Sequence, residues 1–215
     1  IQMKNKYILP FALTSLVTAL VGCGGGGEST NIPLDPDEGI ATTSSSCKVN
    51  DTNCLQFALD YPVAGLNFDC SSDTKNHFVT TRESNSVYGG CKFGDKATFY
   101  IQGLSDKKIT LGTVDLNTIS VLKVTELSAM SLVDLATAMT GKAPQTMTTS
   151  DPTFQVLVGL VRLFQSIGIQ QNSNVAGEIQ PIELTQEFKN KMIGMKQSVT
   201  VDDFKSGNYV TLLKP

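Results

Sequence analysis

"GGCKFGDKATFYIQG", residues 89–103, is the stretch on which the fold turns. Cys91 and Phe93 stand two apart, Gly94-Asp95 follows, and Ala97, Phe99 and Ile101 then repeat with a period of two. Side chains alternate across a pleated strand, so this period predicts two strands, each with one apolar face. A Gly-Asp step turns readily between strands, and the pair is expected to form a hairpin.

The same period extends outward on both sides. In "PVAGLNFDC", residues 62–70, Ala64, Leu66, Phe68 and Cys70 alternate with Val63, Gly65, Asn67 and Asp69. "HFVTTR" (77–82), "KKITLG" (107–112) and "NTISVLKV" (117–124) are further short candidates. Strands of this length and spacing predict a small antiparallel β-sandwich or barrel-like module, placed at residues 47–125 with its strands between 61 and 125.

The period changes after Glu126, and residues 126–215 read as mainly helical. In "ELSAMSLVDLATAMTG" (126–141), Leu127, Met130, Val133 and Ala138 fall near helical spacing, and Gly141 closes the run. "SDPTFQVLVGLVRLFQSIG" (150–168) has a cap at Ser150 or Asp151, Pro152 in the first turn and Gly168 as a stop. It is apolar nearly all round, which predicts burial. "ELTQEFKNKMIGM" (183–195) is a third helix, with Glu183 to Lys191 polar outward, and "TVDDFKSG" (200–207) adds a turn capped by Thr200. The class is therefore α+β, and the Met and Leu stripes are core.

The N-terminus has a different character. Lys4 and Lys6 precede an apolar run from Tyr7 to Val21, 15 residues long. A spanning helix needs about 20, so residues 1–22 read as an export signal. Leu20-Val21-Gly22-Cys23 resembles the lipobox of bacterial lipoproteins. The likeness implies that Cys23 becomes the first mature residue, its thiol joined to diacylglycerol and carrying palmitate-like chains. Gly24 to Gly27 would break a continuing helix at about 1 kcal/mol each. Residues 23–46, rich in Gly, Ser, Thr, Pro and acid, read as the lipidated cysteine and a flexible linker. Gly24, where other lipoproteins have Asp, resembles those sent to an outer membrane. Met3 is expected to be the initiator.

Composition excludes more than it assigns. The formal charge of −3 becomes −5 without Lys4 and Lys6, and no Lys/Arg-rich run is present, so nucleic acid is not expected as a partner. His77 is the only histidine, no G-x-S-x-G occurs, and no C-x-x-C pair exists. His77 lies in no serine-nucleophile motif and the cysteines lack zinc-ligand spacing, so no enzyme activity, metal or cofactor is expected. His77 is expected to be exposed at a strand entrance with no role. Asp202-Asp203 and Asp37-Glu38 are adjacent acids rather than acids set across a cleft, and Asp35, Asp37 and Glu38 lack the spacing of a calcium loop. Trp is absent, which weakens a carbohydrate-binding alternative.

Cys47, Cys54, Cys70 and Cys91 are an even set in an exported chain, which argues for disulfides. Local geometry favours Cys47–Cys54, which flank the polar turn "KVNDTN", and Cys70–Cys91, expected to meet across an antiparallel ladder.

The segments "VAGLNFDC", "GGCKFGDKATFYIQG" and "ITLG", in this order, resemble a module of bacterial surface proteins with the pattern V-x-G-L-x-[YF], a G-D turn, F-x-[IL]-G and L-G. "LVRLFQSIGI" is similar to the helical segment that follows it there. With the lipobox and the Cys70/Cys91 pair, the chain resembles the FilF-like pilus-system lipoproteins over residues 20–23 and about 61–185. The resemblance implies a non-catalytic envelope component that anchors, adheres or assembles, with membrane lipid and surface proteins as partners. Such proteins are longer, so the chain is expected to continue past Pro215. They also carry an acidic loop where this chain has "IGIQQNSNVAGEIQ" (167–180), so calcium binding is not implied.

Overall fold

The computed structural model describes residues 43–48, 51–103, 107–122, 127–170, 182–192, 198–199 and 201–206. Cys23, Asp35, Asp37, Glu38, Thr200 and the stretch 171–181 lie outside the described residues.

Among the described residues the strands and α-helices follow in order: β1 (Cys54–Leu59), β2 (Val63–Ala64), β3 (Asn67–Cys70), β4 (Phe78–Val79), β5 (Thr81–Glu83), β6 (Ser86–Lys92), β7 (Lys96–Gln102), β8 (Lys108–Asp115), β9 (Ser120–Leu122), β10 (Leu127–Met130), α1 (Leu132–Thr140), α2 (Pro152–Gln170), β11 (Ile182–Glu183), α3 (Gln186–Lys191), β12 (Ser198–Val199) and α4 (Val201–Ser206). The first sheet runs β5-β6-β1-β10-β9 and the second β12-β8-β7-β3-β4, with β11 and β2 as a small parallel pair. Most pairings are antiparallel, but β1 with β10 and β12 with β8 are parallel.

The expected hairpin does not form. β6 and β7 belong to different sheets, β6 lying between β5 and β1, and β7 between β8 and β3. A turn does close between them, with Asp95 N donating to Lys92 O at 3.1 Å and Gly94 at φ +87°. The buried Asp95 carboxylate then sends the chain away from β6. It accepts from Lys92 N (3.0 Å), Ser72 N (2.9 Å), Ser71 Oγ (3.0 Å) and Ser72 Oγ (2.9 Å), tying the corner to the segment after β3. Phe93, expected to share the face of Cys91, sits at this corner 56% exposed.

An aromatic layer joins the sheets. Phe57 from β1 meets Phe68 of β3 edge-on at 5.3 Å between centroids and Phe99 of β7 at 5.6 Å, and Phe68 continues to Phe78 at 5.6 Å. Edge-to-face packing suits the ring quadrupoles. β6 crosses so close to this layer that a Cβ on Gly89 would lie 2.4 Å from Phe57 Cζ. Only glycine fits there without displacing the ring.

Two other expected strands divide. "PVAGLNFDC" breaks at Gly65 into β2 and β3, and Asn67 is buried next to Phe68, against the predicted alternation. "HFVTTR" supplies β4 to the second sheet and β5 to the first. The helical reading of 126–141 also needs correction. Leu127–Met130 is strand β10, because three of its residues pair with Phe57, Ala58 and Leu59 of β1. The helix begins only where Ser131 and Asp134 form a capping box, and Gly141 ends it at φ +74°.

Helix α2 runs through Gly168 rather than stopping there. Its first turn is capped by Asp151, whose Oδ1 accepts from Thr153 N and Phe154 N. Backbone N–H donors of Gln145 and Phe154, then those of Thr146 and Thr153, hold this carboxyl below its usual range against the effect of burial. Val156, Leu160, Leu163, Phe164 and Ile167 are buried while Arg162, Gln165 and Ser166 are exposed, so the helix is one-sided and not buried all round. Thr185 caps α3, and Lys189 of that helix is buried, contrary to the outward reading. Strand and helix side chains share one apolar cluster, from Leu55 to Phe204. Among the described residues, no helix is long and apolar enough to cross a membrane.

Candidate functional site

On the outer side of the second sheet, β3 carries Asp69, β7 carries Tyr100, and His77 enters β4. β3 and β7 pair in unbroken register, Asn67 opposite Tyr100 and Asp69 opposite Thr98, so Tyr100 and Asp69 share one face of the sheet while Phe68 and Phe99 share the other. Tyr100 thereby reaches Asp69 with its hydroxyl, donating to Oδ1 at 2.8 Å. His77 Nδ1 lies 2.6 Å from the same oxygen and 3.0 Å from the Tyr100 hydroxyl, so His77 is bonded rather than unemployed. With Asp69 as acceptor, the ring donates from Nδ1, and in the neutral tautomer this leaves Nε2 as an acceptor. Lys108 Nζ stands 3.7 Å over the Tyr100 ring, a cation–π contact. Burial, the Asp69 charge and the Asp69 hydrogen bond push the phenol far above its usual range, so Tyr100 remains a neutral donor.

His77 and Asp69 border a depression of about 350 Å³, with Ser71, Asp73, Asn76 and Lys96 on its walls. Burial raises the Asp73 carboxyl, but the Asn76 side chain and the backbone N–H groups of Lys75 and Asn76 outweigh it and hold the group low. The hollow is open and mixed in character, polar residues presenting much of their carbon to it, with His77 and Asp69 side chains 36% and 32% exposed. Chemically it offers an Asp-oriented imidazole and a lysine. Among the described residues the hydrogen bonds of the imidazole go to Asp69 and the Tyr100 hydroxyl. The arrangement can bind a small polar group or brace the sheet.

The cysteines are joined as Cys47–Cys54 and Cys70–Cys91, with Cα separations of 5.6 and 5.7 Å. The second bond does not cross a ladder as expected. Cys70 is in the second sheet and Cys91 in the first, so it links the two sheets. Cys70, Cys91 and Asp95 lie close enough to form a metal-like cluster, but the disulfide leaves no thiolate, and Asp95 is occupied by its four donors. Asp202 pairs with Lys205 at 3.3 Å on the outer side of α4, whose Phe204 is buried.

The segment 43–48 is fastened at several points. Val79 N donates to Thr43 O at 2.9 Å, Gly90 N to Ser44 O at 2.9 Å, and Ser46 N to Gly90 O at 3.0 Å. Cys47 then bonds to Cys54, at the start of β1, the middle strand of its sheet. The pairing followed from the sequence; the docking on β6 and β4 had no local signal. Likewise Asp69 and Tyr100 stand 8 and 23 residues from His77, and only the sheet register brings them together. Compared with protein-family models, curated proteins and solved structures, the chain matches none.

Proposed function

We propose that the chain is a non-catalytic, lipid-anchored component of a bacterial cell envelope, held in the outer membrane through Cys23. In this reading it serves a pilus-like surface system as an anchor, adhesion or assembly part. The observation that supports it is the fastening of residues 43–48, whose first four residues, expected to belong to the flexible linker, are docked on β4 and β6. A pull from the N-terminal side would reach the middle strand of the first sheet through Cys47–Cys54, and the second sheet through Cys91–Cys70. Disulfides of this kind suit an oxidising compartment. The resemblance to FilF-like lipoproteins supplies the surface system. The test is cross-linking in intact envelopes, followed by recovery of the chain and identification of its companions by mass spectrometry. Fibre subunits are the expected companions, and their absence from repeated recoveries would overturn the reading.

A second reading rests on the hollow beside His77, in which a small polar ligand or carbohydrate would meet Nε2 and Lys96. Thermal shifts with a panel of envelope sugars test it. A saturable shift lost in His77→Ala is its signature.

A further inference from the structure

Lys189 and Asn67 are the one lysine and the one asparagine that are buried among the described residues, 9% and 1% exposed, and they touch. Lys189 Nζ lies 3.1 Å from Asn67 Oδ1 across 122 residues of sequence. The same oxygen accepts from Gln102 N at 3.2 Å. Asn67 Nδ2 is buried with no partner. Among the described residues no carboxylate is paired with Lys189.

We infer that Lys189 and Asn67 form an intramolecular isopeptide bond, Nζ to Cγ, joining α3 to β3. The neutral amine adds to Cγ, the Cγ–Nδ2 bond breaks, and a proton passes from Nζ to Nδ2, so the leaving group departs as ammonia. Nothing is oxidised or reduced, and no co-reactant is required. Each partner is prepared for this step. The Gln102 N–H polarises the carbonyl and can support the oxygen as charge develops on it. The amide nitrogen that must leave is held by nothing, and a buried unpaired amide is a cost that its departure removes. Desolvation lowers the Lys189 ammonium to about 8, so the neutral amine is accessible near neutral pH. The fold supplies proximity, which turns a sluggish bimolecular reaction into an intramolecular one. Exclusion of water protects the product from hydrolysis. The bond would lie three residues from Cys70, so helix, second sheet and first sheet would be covalently continuous.

The full chain, exported and purified, is reduced, digested with trypsin and mapped by mass spectrometry. Trypsin does not cleave after an acylated lysine. The expected product is a branched peptide joining the fragments that contain Asn67 and Lys189, one ammonia lighter than their sum. Its fraction should rise on incubation at mildly alkaline pH, and it should be absent from Lys189→Met and Lys189→Arg. Cleavage after Lys189 with both fragments at full mass, after such incubation, would overturn the inference. So would loss of ammonia at Asn67 without a branched peptide, the mark of a succinimide.

Discussion

Replacing both cysteines of the inter-sheet bond, Cys70→Ala with Cys91→Ala, should destabilise the protein more than replacing both of the other pair. The two residues of the inter-sheet bond are 21 apart in sequence, against 7 for Cys47–Cys54. In the chain-entropy account the longer loop is worth about 3.4 kcal/mol and the shorter about 2.5. Burial widens the difference. Cys70 and Cys91 are 2% and 0% exposed between the sheets, so alanine leaves space that must collapse or stay empty. For a folded unit of this size each kcal/mol moves Tm by about 2–4 °C, so the inter-sheet variant should fall by roughly 7–14 °C. The chain has no tryptophan, so urea and thermal unfolding are best followed by far-UV circular dichroism. A Cys47→Ala/Cys54→Ala variant that loses as much stability as the inter-sheet variant, or more, would refute the reasoning.

Gly89→Ala places a methyl 2.4 Å from the Phe57 ring and should cost about 1–3 kcal/mol or more; adding Phe57→Leu should recover part of it in a double-mutant cycle. Tyr100→Phe removes a donor to Asp69 and should cost about 1 kcal/mol at neutral pH. It should also flatten the alkaline limb. Above pH about 10 an unfolded tyrosine has lost the proton that folded Tyr100 keeps, so wild-type stability falls as pH rises there. Equal slopes in urea titrations from pH 8 to 11 would contradict this. His77→Ala should lower stability by less than about 1 kcal/mol, since its pair with Asp69 is partly exposed, and leave any cellular phenotype intact. Loss of phenotype in a folded variant would give His77 a role, in ligand binding or in catalysis.

The period of two across Ala97, Phe99 and Ile101 made β7 legible, because alternation reports which residues share a face. It does not report which strand lies alongside, and β6 was therefore given the wrong neighbour. β1 was hidden because "CLQFAL" has only Gln56 to mark its polar side. β10 was read as helix because Leu127 and Met130 also fit a spacing of three, and the choice was made by distant pairing with β1. Capping chemistry was local and readable at Gly141 and Asp151. The cysteine partners were readable from separation, although the sheets they connect were not. Burial of Lys189 had no signal at all, since a lysine in "QEFKNK" looks like any solvated helix face.

Anchorage through a lipidated Cys23 can be read from a single peptide mass. The N-terminal peptide of the chain recovered from bacterial envelopes should begin at Cys23 and carry the mass of a diacylglyceryl group. The same peptide from Cys23→Ser should be unlipidated and still joined to the residues before it. An unmodified Cys23 in the wild-type peptide, with residues 20–22 still attached, would contradict the account.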